Sequence, residues 1–169
     1  INKKTLTFPE LCHGCGLCSR VCAPGAIKEV PREVGVVETG TAYGINFAHG
    51  KLRIGEAMSP PLITEVKKKF SPAGVTIIDS PPGTSCSVIE AIKGTDFVLL
   101  VTEPTPFGMN DLQLAVEMVR EVGIPFAVII NRADLGDERV QEYCSKEGIP
   151  ILMEIPEDRE IAKTYSTGG

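Results

Sequence analysis

From Ser59 onward, short apolar runs alternate with longer amphipathic stretches, and this alternation restricts the fold more than any other feature of the 169 residues. Strand-like runs fall at Val75–Ile78, Phe97–Thr102, Phe126–Ile130 and Ile149–Met153. Helical patterns lie between them at Ser85–Lys93, Asp111–Val122 and Glu138–Glu147. Ser59-Pro60 predicts an N-cap with proline in the first turn, for a helix reaching about Phe70. Near-continuous apolar runs suit strands buried on both faces. Strands separated by helices imply right-handed βαβ units, and so an α/β fold with a parallel, doubly wound sheet. Ligands of such sheets sit beyond the carboxyl ends of the strands. The residues there are Asp79, Glu103-Pro104, Asn131-Arg132 and, soon after the last strand, Pro156.

Residues 1–57 are turn-rich instead. Thr5–Phe8 reads as a short strand and Gly16–Cys22 as one or two helical turns. Val34–Glu38 and Tyr43–Phe47 alternate as strands do, and His49-Gly50 is a plausible turn into Lys51–Ile54. Hydrophobic residues make up 43% and charged residues 23%, as in an ordered globular protein. The net charge of −5 is spread along the chain, without a basic stripe or interleaved aromatics, so nucleic acid is not an expected partner. No apolar run approaches the roughly 20 residues that span a bilayer. The opening Ile1-Asn2-Lys3-Lys4-Thr5 has neither an initiator Met nor a signal-peptide pattern. A piece of something longer, or a processed product, working in the cytoplasm is expected.

Four of the six cysteines are packed into Cys12-His13-Gly14-Cys15-Gly16-Leu17-Cys18-Ser19-Arg20-Val21-Cys22. A secreted disulfide scaffold spreads its cysteines to close loops, whereas clustered cysteines suit metal ligation in a reducing compartment. The C-x2-C-x2-C-x3-C spacing resembles one half of a two-cluster ferredoxin. That resemblance implies Cys12, Cys15 and Cys18 on one [4Fe–4S] cluster and Cys22 on a second, whose other ligands lie outside this chain. The proline that usually follows the fourth cysteine is displaced by Ala23. A zinc site and metal-free structural cysteines are the alternatives, although structural zinc usually employs two knuckles across a longer spacer. His13 reads as a spacer. Cys86 opens a predicted helix, and both Cys86 and Cys144 read as small buried residues.

Val75-Thr76-Ile77-Ile78-Asp79-Ser80-Pro81-Pro82-Gly83-Thr84 is a strand ending in an acid, followed by a rigid turn. An acid there can hold a Mg²⁺-bound water, and Gly83 lets a backbone N–H approach a phosphate. Asp79 can equally be a helix cap or turn former. The stretch Ile78–Thr84 resembles the Walker B and switch II element of the MinD/ParA/Mrp group of P-loop ATPases. Val101-Thr102-Glu103-Pro104-Thr105 and Ile130-Asn131-Arg132 resemble that group's later strand ends. With the cysteines in front, the chain resembles the carboxyl-terminal part of a MinD-superfamily ATPase carrying an inserted ferredoxin domain.

The resemblance implies a P-loop NTPase-like sheet, here incomplete. Residues 1–30 would be half of a ferredoxin-like domain, 31–58 a β-rich connection and 59–169 the hydrolase part. Asp79 would orient the Mg²⁺ shell, and Gly83 with Thr84 would sense the γ-phosphate. Asn131 and Arg132 would lie at the adenine, with Pro156 and its neighbours lining the base pocket. No G-x-x-x-x-G-K-[ST] run occurs in the chain, so ATP and Mg²⁺ are expected only in a complete parent, and this chain alone is expected to be inactive. A strand beside Val75–Ile78 would be missing too, leaving an apolar edge. MinD proteins reach the bilayer through a basic amphipathic terminal helix, and Glu160–Gly169 is too short and weakly basic for that. Expected outputs are low-potential electron transfer or cluster delivery to an acceptor protein, with a homodimer possible. The competing readings are a ferredoxin-like relay or docking module without ATPase activity, and a zinc-stabilised partition-type regulator.

Overall fold

The structure, a computed structural model, describes residues 6–12, 14–70 and 74–168. It divides into two compact units, Ile1–Asp79 and Ser80–Gly169.

In the first unit a 3₁₀ turn, Pro9–Leu11, precedes the short helix α1, Leu17–Val21. Leu6–Phe8 has no regular structure, in place of the expected strand. Two antiparallel strands follow, β1 at Gly35–Ala42 and β2 at Ile45–Leu52, paired from Ala42↔Ile45 to Gly35↔Leu52. The reversal is at Tyr43-Gly44, with φ of 51° and 77°, rather than at His49-Gly50. Two successive left-handed residues match the twist of a two-residue hairpin, so Gly44 decides the turn. His49 is therefore mid-strand, opposite Glu38, with its Nε2 2.7 Å from a carboxylate oxygen. Helix α2, Pro60–Lys67, starts at Pro60 as expected and ends short of Phe70.

Two strand glycines let α2 approach the hairpin. A Cβ on Gly50 would lie 2.7 Å from Leu62 Cγ and 3.0 Å from Val66 Cγ2, and one on Gly35 would lie 3.0 Å from Leu62 Cδ2. Leu62 is buried there. Alanine at Gly50 is expected to destabilise this unit by about 1–3 kcal/mol, the usual cost of overpacking. Urea unfolding of the variant checks this, and an unchanged midpoint would show that α2 is not seated on the hairpin. Nearby, the Arg32 guanidinium pairs with the Glu56 carboxylate and holds its pKa below the ordinary value.

The second unit contains α3 (Cys86–Ile92), β3 (Val98–Thr102), α4 (Pro106–Val122), β4 (Phe126–Asn131), α5 (Arg139–Glu147), β5 (Ile151–Ile155) and α6 (Arg159–Ser166). The strands form a parallel sheet in the order β3-β4-β5, with a register irregularity at Val128/Ile129 against β5. The expected α/β character and parallel pairing are therefore present. Helix α4 begins earlier than its apolar period suggested, because Thr105 Oγ1 accepts the Gly108 N–H at 3.0 Å and Pro106 fills the first turn. Gly123 and Gly148 close α4 and α5 in the left-handed region.

The helices named in the core all pack on one face of this sheet. Val116 of α4 and Val140 and Cys144 of α5 pack with Val128 and Ile130, while Val88 and Ile92 of α3 join Val119 against Val98, Leu100 and Phe126. The strand residues of alternate parity point the other way, and Leu99 and Val101 of the edge strand are 51% and 66% exposed. Burial on both faces holds for β4 only, since its neighbours shield Ala127 completely and Ile129 in part. Val75–Ile78, expected as a strand, has no regular structure, and Val75 and Ile77 are almost fully exposed. A strand is defined by its partner's hydrogen bonds, and no described strand pairs with this segment.

Candidate functional site

The four-cysteine run follows the 3₁₀ turn and ends one residue past α1. Gly14 and Gly16 take φ of 65° and 75°, and Gly16 caps α1 while its carbonyl accepts from the Arg20 N–H and the Ser19 hydroxyl. Two left-handed glycines among three thiols let the chain turn tightly between them. Cys12, Cys15 and Cys18 are exposed and Cys22 is half-buried. Cys22 differs in a second way, since its Sγ accepts the Ala26 N–H at 3.2 Å while its carbonyl accepts from Gly25. His13 lies outside the described residues. No three Cys, His, Asp or Glu side chains converge on a metal position among the described residues. The chemistry of the donor set nonetheless fits an iron–sulfur cluster: four soft thiols within eleven residues, one of which already accepts a backbone N–H.

Burial separates the other cysteines. Cys144 is fully buried on the core-facing side of α5, as expected, and burial pushes its thiol pKa up. Cys86 is exposed at the start of α3, against expectation, because the apolar face of that helix is formed by Val88, Ala91 and Ile92.

A second constellation lies at the carboxyl ends of β3, β4 and β5. Asn131 Nδ2 donates to Glu103 Oε1 at 3.4 Å. Arg132, in the left-handed region at φ 52°, places Nε 2.8 Å from Glu157 and 3.7 Å from Glu103. Asp134 Oδ1 accepts the Glu157 N–H at 2.7 Å, and the Ala133 N–H donates to the Ile155 carbonyl at 2.9 Å. The loop after β4 thus clamps the loop that holds Pro156, which is exposed. Two glycines make room for the arrangement, since a Cβ on Gly108 would strike the Glu103 carbonyl and one on Gly136 the Pro104 carbonyl. Buried Thr102 adds a hydrogen bond to the Gly108 carbonyl at 2.9 Å. The sequence pointed to Asn131, Arg132 and Pro156, and the structure brings them together. Asp134 was missed, and Glu157 was included only as an unnamed neighbour of Pro156. An acid three residues after the strand-end Asn, matched to a backbone N–H beyond the next strand, carries no signal without the tertiary register.

Asp79 is the exposed last residue of the first unit, and Gly83 (φ 89°) and Thr84 are exposed near the start of the second. Helix α6, not expected from the sequence, starts where Asp158 accepts the Glu160 N–H at 2.8 Å. No helix among the described residues is long and apolar enough to cross a membrane.

No family model matches the chain. The uncharacterized protein MJ0579 of Methanocaldococcus jannaschii is 28% identical over 170 residues, covering 99% of this chain and 59% of that protein. The uncharacterized protein MJ0578 of the same organism is 33% identical, covering 76% of this chain and 47% of that protein. An iron–sulfur cluster carrier protein of Aquifex aeolicus is 32% identical, covering 54% of this chain and 29% of that protein. The chain spans about half the length of the curated relatives it matches first. Over part of its length, it is similar to proteins named iron–sulfur cluster carrier protein.

Proposed function

We propose that this chain is the iron–sulfur-bearing part of a longer MinD-like ATPase that binds a [4Fe–4S] cluster and passes it, or electrons from it, to an acceptor protein. The thiol run Cys12–Cys22, turned by left-handed Gly14 and Gly16, is the observation that carries the reading. Similarity to proteins named cluster carriers supports delivery to an acceptor. Cys12, Cys15 and Cys18 would hold one cluster and Cys22 would serve a second one. The cluster supplies one-electron chemistry or is itself the cargo. Residues 1–30 would be the ferredoxin-like half, 31–58 the connection and 59–169 the hydrolase part.

The nucleotide side of the proposal belongs to the complete protein. Asp79 would hold the Mg²⁺ shell, and Gly83 and Thr84 would meet the terminal phosphate. Asn131, Arg132 and Pro156 would receive the base at the strand ends, where ligands of parallel sheets bind. Supporting this, Glu103 and Asn131 present an acceptor and an amide side by side. The test is anaerobic purification of the natural-length protein with assay of iron, acid-labile sulfide and visible absorbance. Iron and sulfide in equal amounts, with a broad charge-transfer band, are expected. Zinc without either would overturn the reading.

The second reading, a relay or docking module without hydrolysis, concerns these 169 residues by themselves, which hold no G-x-x-x-x-G-K-[ST] loop. ATP turnover by the natural-length protein decides between the two.

A further inference from the structure

Glu29 follows the cysteine run in sequence yet returns to it in space. Its Oε1 accepts a hydrogen bond from Ser19 Oγ at 3.1 Å, and the same hydroxyl lies 3.0 Å from the Gly16 carbonyl. A Cβ built on Gly16 would stand 3.9 Å from that carboxylate oxygen. The carboxylate is thereby held against the backbone between Cys15 and Cys18. Ser19 is half-buried, while Glu29 and the hydrogen bond that tethers it are exposed to solvent. Among the described residues no cationic side chain forms an ion pair with Glu29.

A hydrogen-bonded acid in a loop is ordinarily a brace, and glutamine braces equally well. The charge is what glutamine lacks. The reduction potential of an iron–sulfur cluster follows its net charge, the hydrogen bonds to its sulfurs and its exposure to solvent. A fixed, unpaired negative charge beside the ligand loop opposes the arrival of an electron.

We infer that Glu29 sets the potential of this thiol loop: its carboxylate, tethered by Ser19, keeps a cluster on Cys12, Cys15 and Cys18 at a lower reduction potential than a neutral side chain there allows. This rests on the iron–sulfur reading above. Glu29 is a positioning and electrostatic residue, not a ligand.

The experiment is a redox titration of the anaerobically reconstituted natural-length protein, with dithionite as the electron donor and visible absorbance and EPR as readouts. Glu29→Gln is expected to raise the midpoint potential. The reduced-to-oxidised ratio at fixed potential should rise roughly tenfold, which is about 59 mV for a one-electron couple. Glu29→Asp, which keeps the charge, should stay near the wild type, and Ser19→Ala should move part of the way in the same direction. An unchanged potential in a fully loaded Glu29→Gln protein overturns the inference while leaving the cluster reading intact. If that variant takes up no cluster, Ser19→Ala decides, a shift supporting the inference and no shift overturning it. Wild-type protein without iron and sulfide ends both, through a different measurement.

Discussion

Alanine at Cys15 is expected to reduce the iron and sulfide bound at the first cluster position to background, in anaerobically reconstituted natural-length protein. A cube held by three thiolates of one loop loses a corner ligand with Cys15, and the flanking Cys12 and Cys18 cannot replace it from their own corners. Cys22→Ala should behave differently. That thiol is half-buried and already accepts a backbone N–H from Ala26, whereas the other three are exposed on the preceding loop and the start of α1. It should leave the content at the Cys12, Cys15 and Cys18 position intact. Cys86→Ala serves as the control, being an exposed thiol at the start of α3, outside the run. Equal losses from Cys15→Ala and Cys22→Ala would mean that all four thiols share one metal site, as in the zinc alternative.

The second large effect concerns the sheet. Ile130 lies in the central strand, fully buried, and packs with Leu112, Val116, Val128, Val140, Cys144 and Ile149. Truncation to alanine is expected to cost about 2–5 kcal/mol, the transfer free energy of the lost carbons plus the cavity they leave. That is a large share of the roughly 5–15 kcal/mol that holds a domain folded. Leu99→Ala, on the opposite face and half exposed, should cost less than about 1 kcal/mol. Urea unfolding followed by far-UV circular dichroism reads both, with the slope held equal between variants. A Leu99 loss as large as that of Ile130 would show that the second face is covered in solution.

Much of the second unit was legible in the sequence, and the reason is burial. Phe126–Ile130 is an unbroken apolar run because β4 has a neighbour on each side and α4 and α5 beneath it. Asn131, Arg132 and Pro156 could be placed at one end of the sheet because parallel strands present their carboxyl ends together. The cysteine run stood out for another reason, since four thiols within eleven residues mark a candidate site without any tertiary structure.

Other features were not written locally. His49-Gly50 has turn chemistry, yet Tyr43-Gly44 made the turn, because the register of the hairpin is settled by the whole pairing and by the two glycines under α2. Val75–Ile78 has strand composition, but no strand among the described residues pairs with it to define one. Asp134, Glu157 and Glu29 act across loops, through contacts that no periodicity records.

The amino-acid sequence by itself determined the alternation of strands and helices in the second unit, the parallel pairing it implies, and the thiol spacing, because each depends on residues near one another in the chain. Only the tertiary structure decided which face of the sheet is covered, which residues clamp the strand-end loops, and which carboxylate stands beside the cysteines. Those depend on free energies of contact between distant segments, which exist only once the chain has closed on itself.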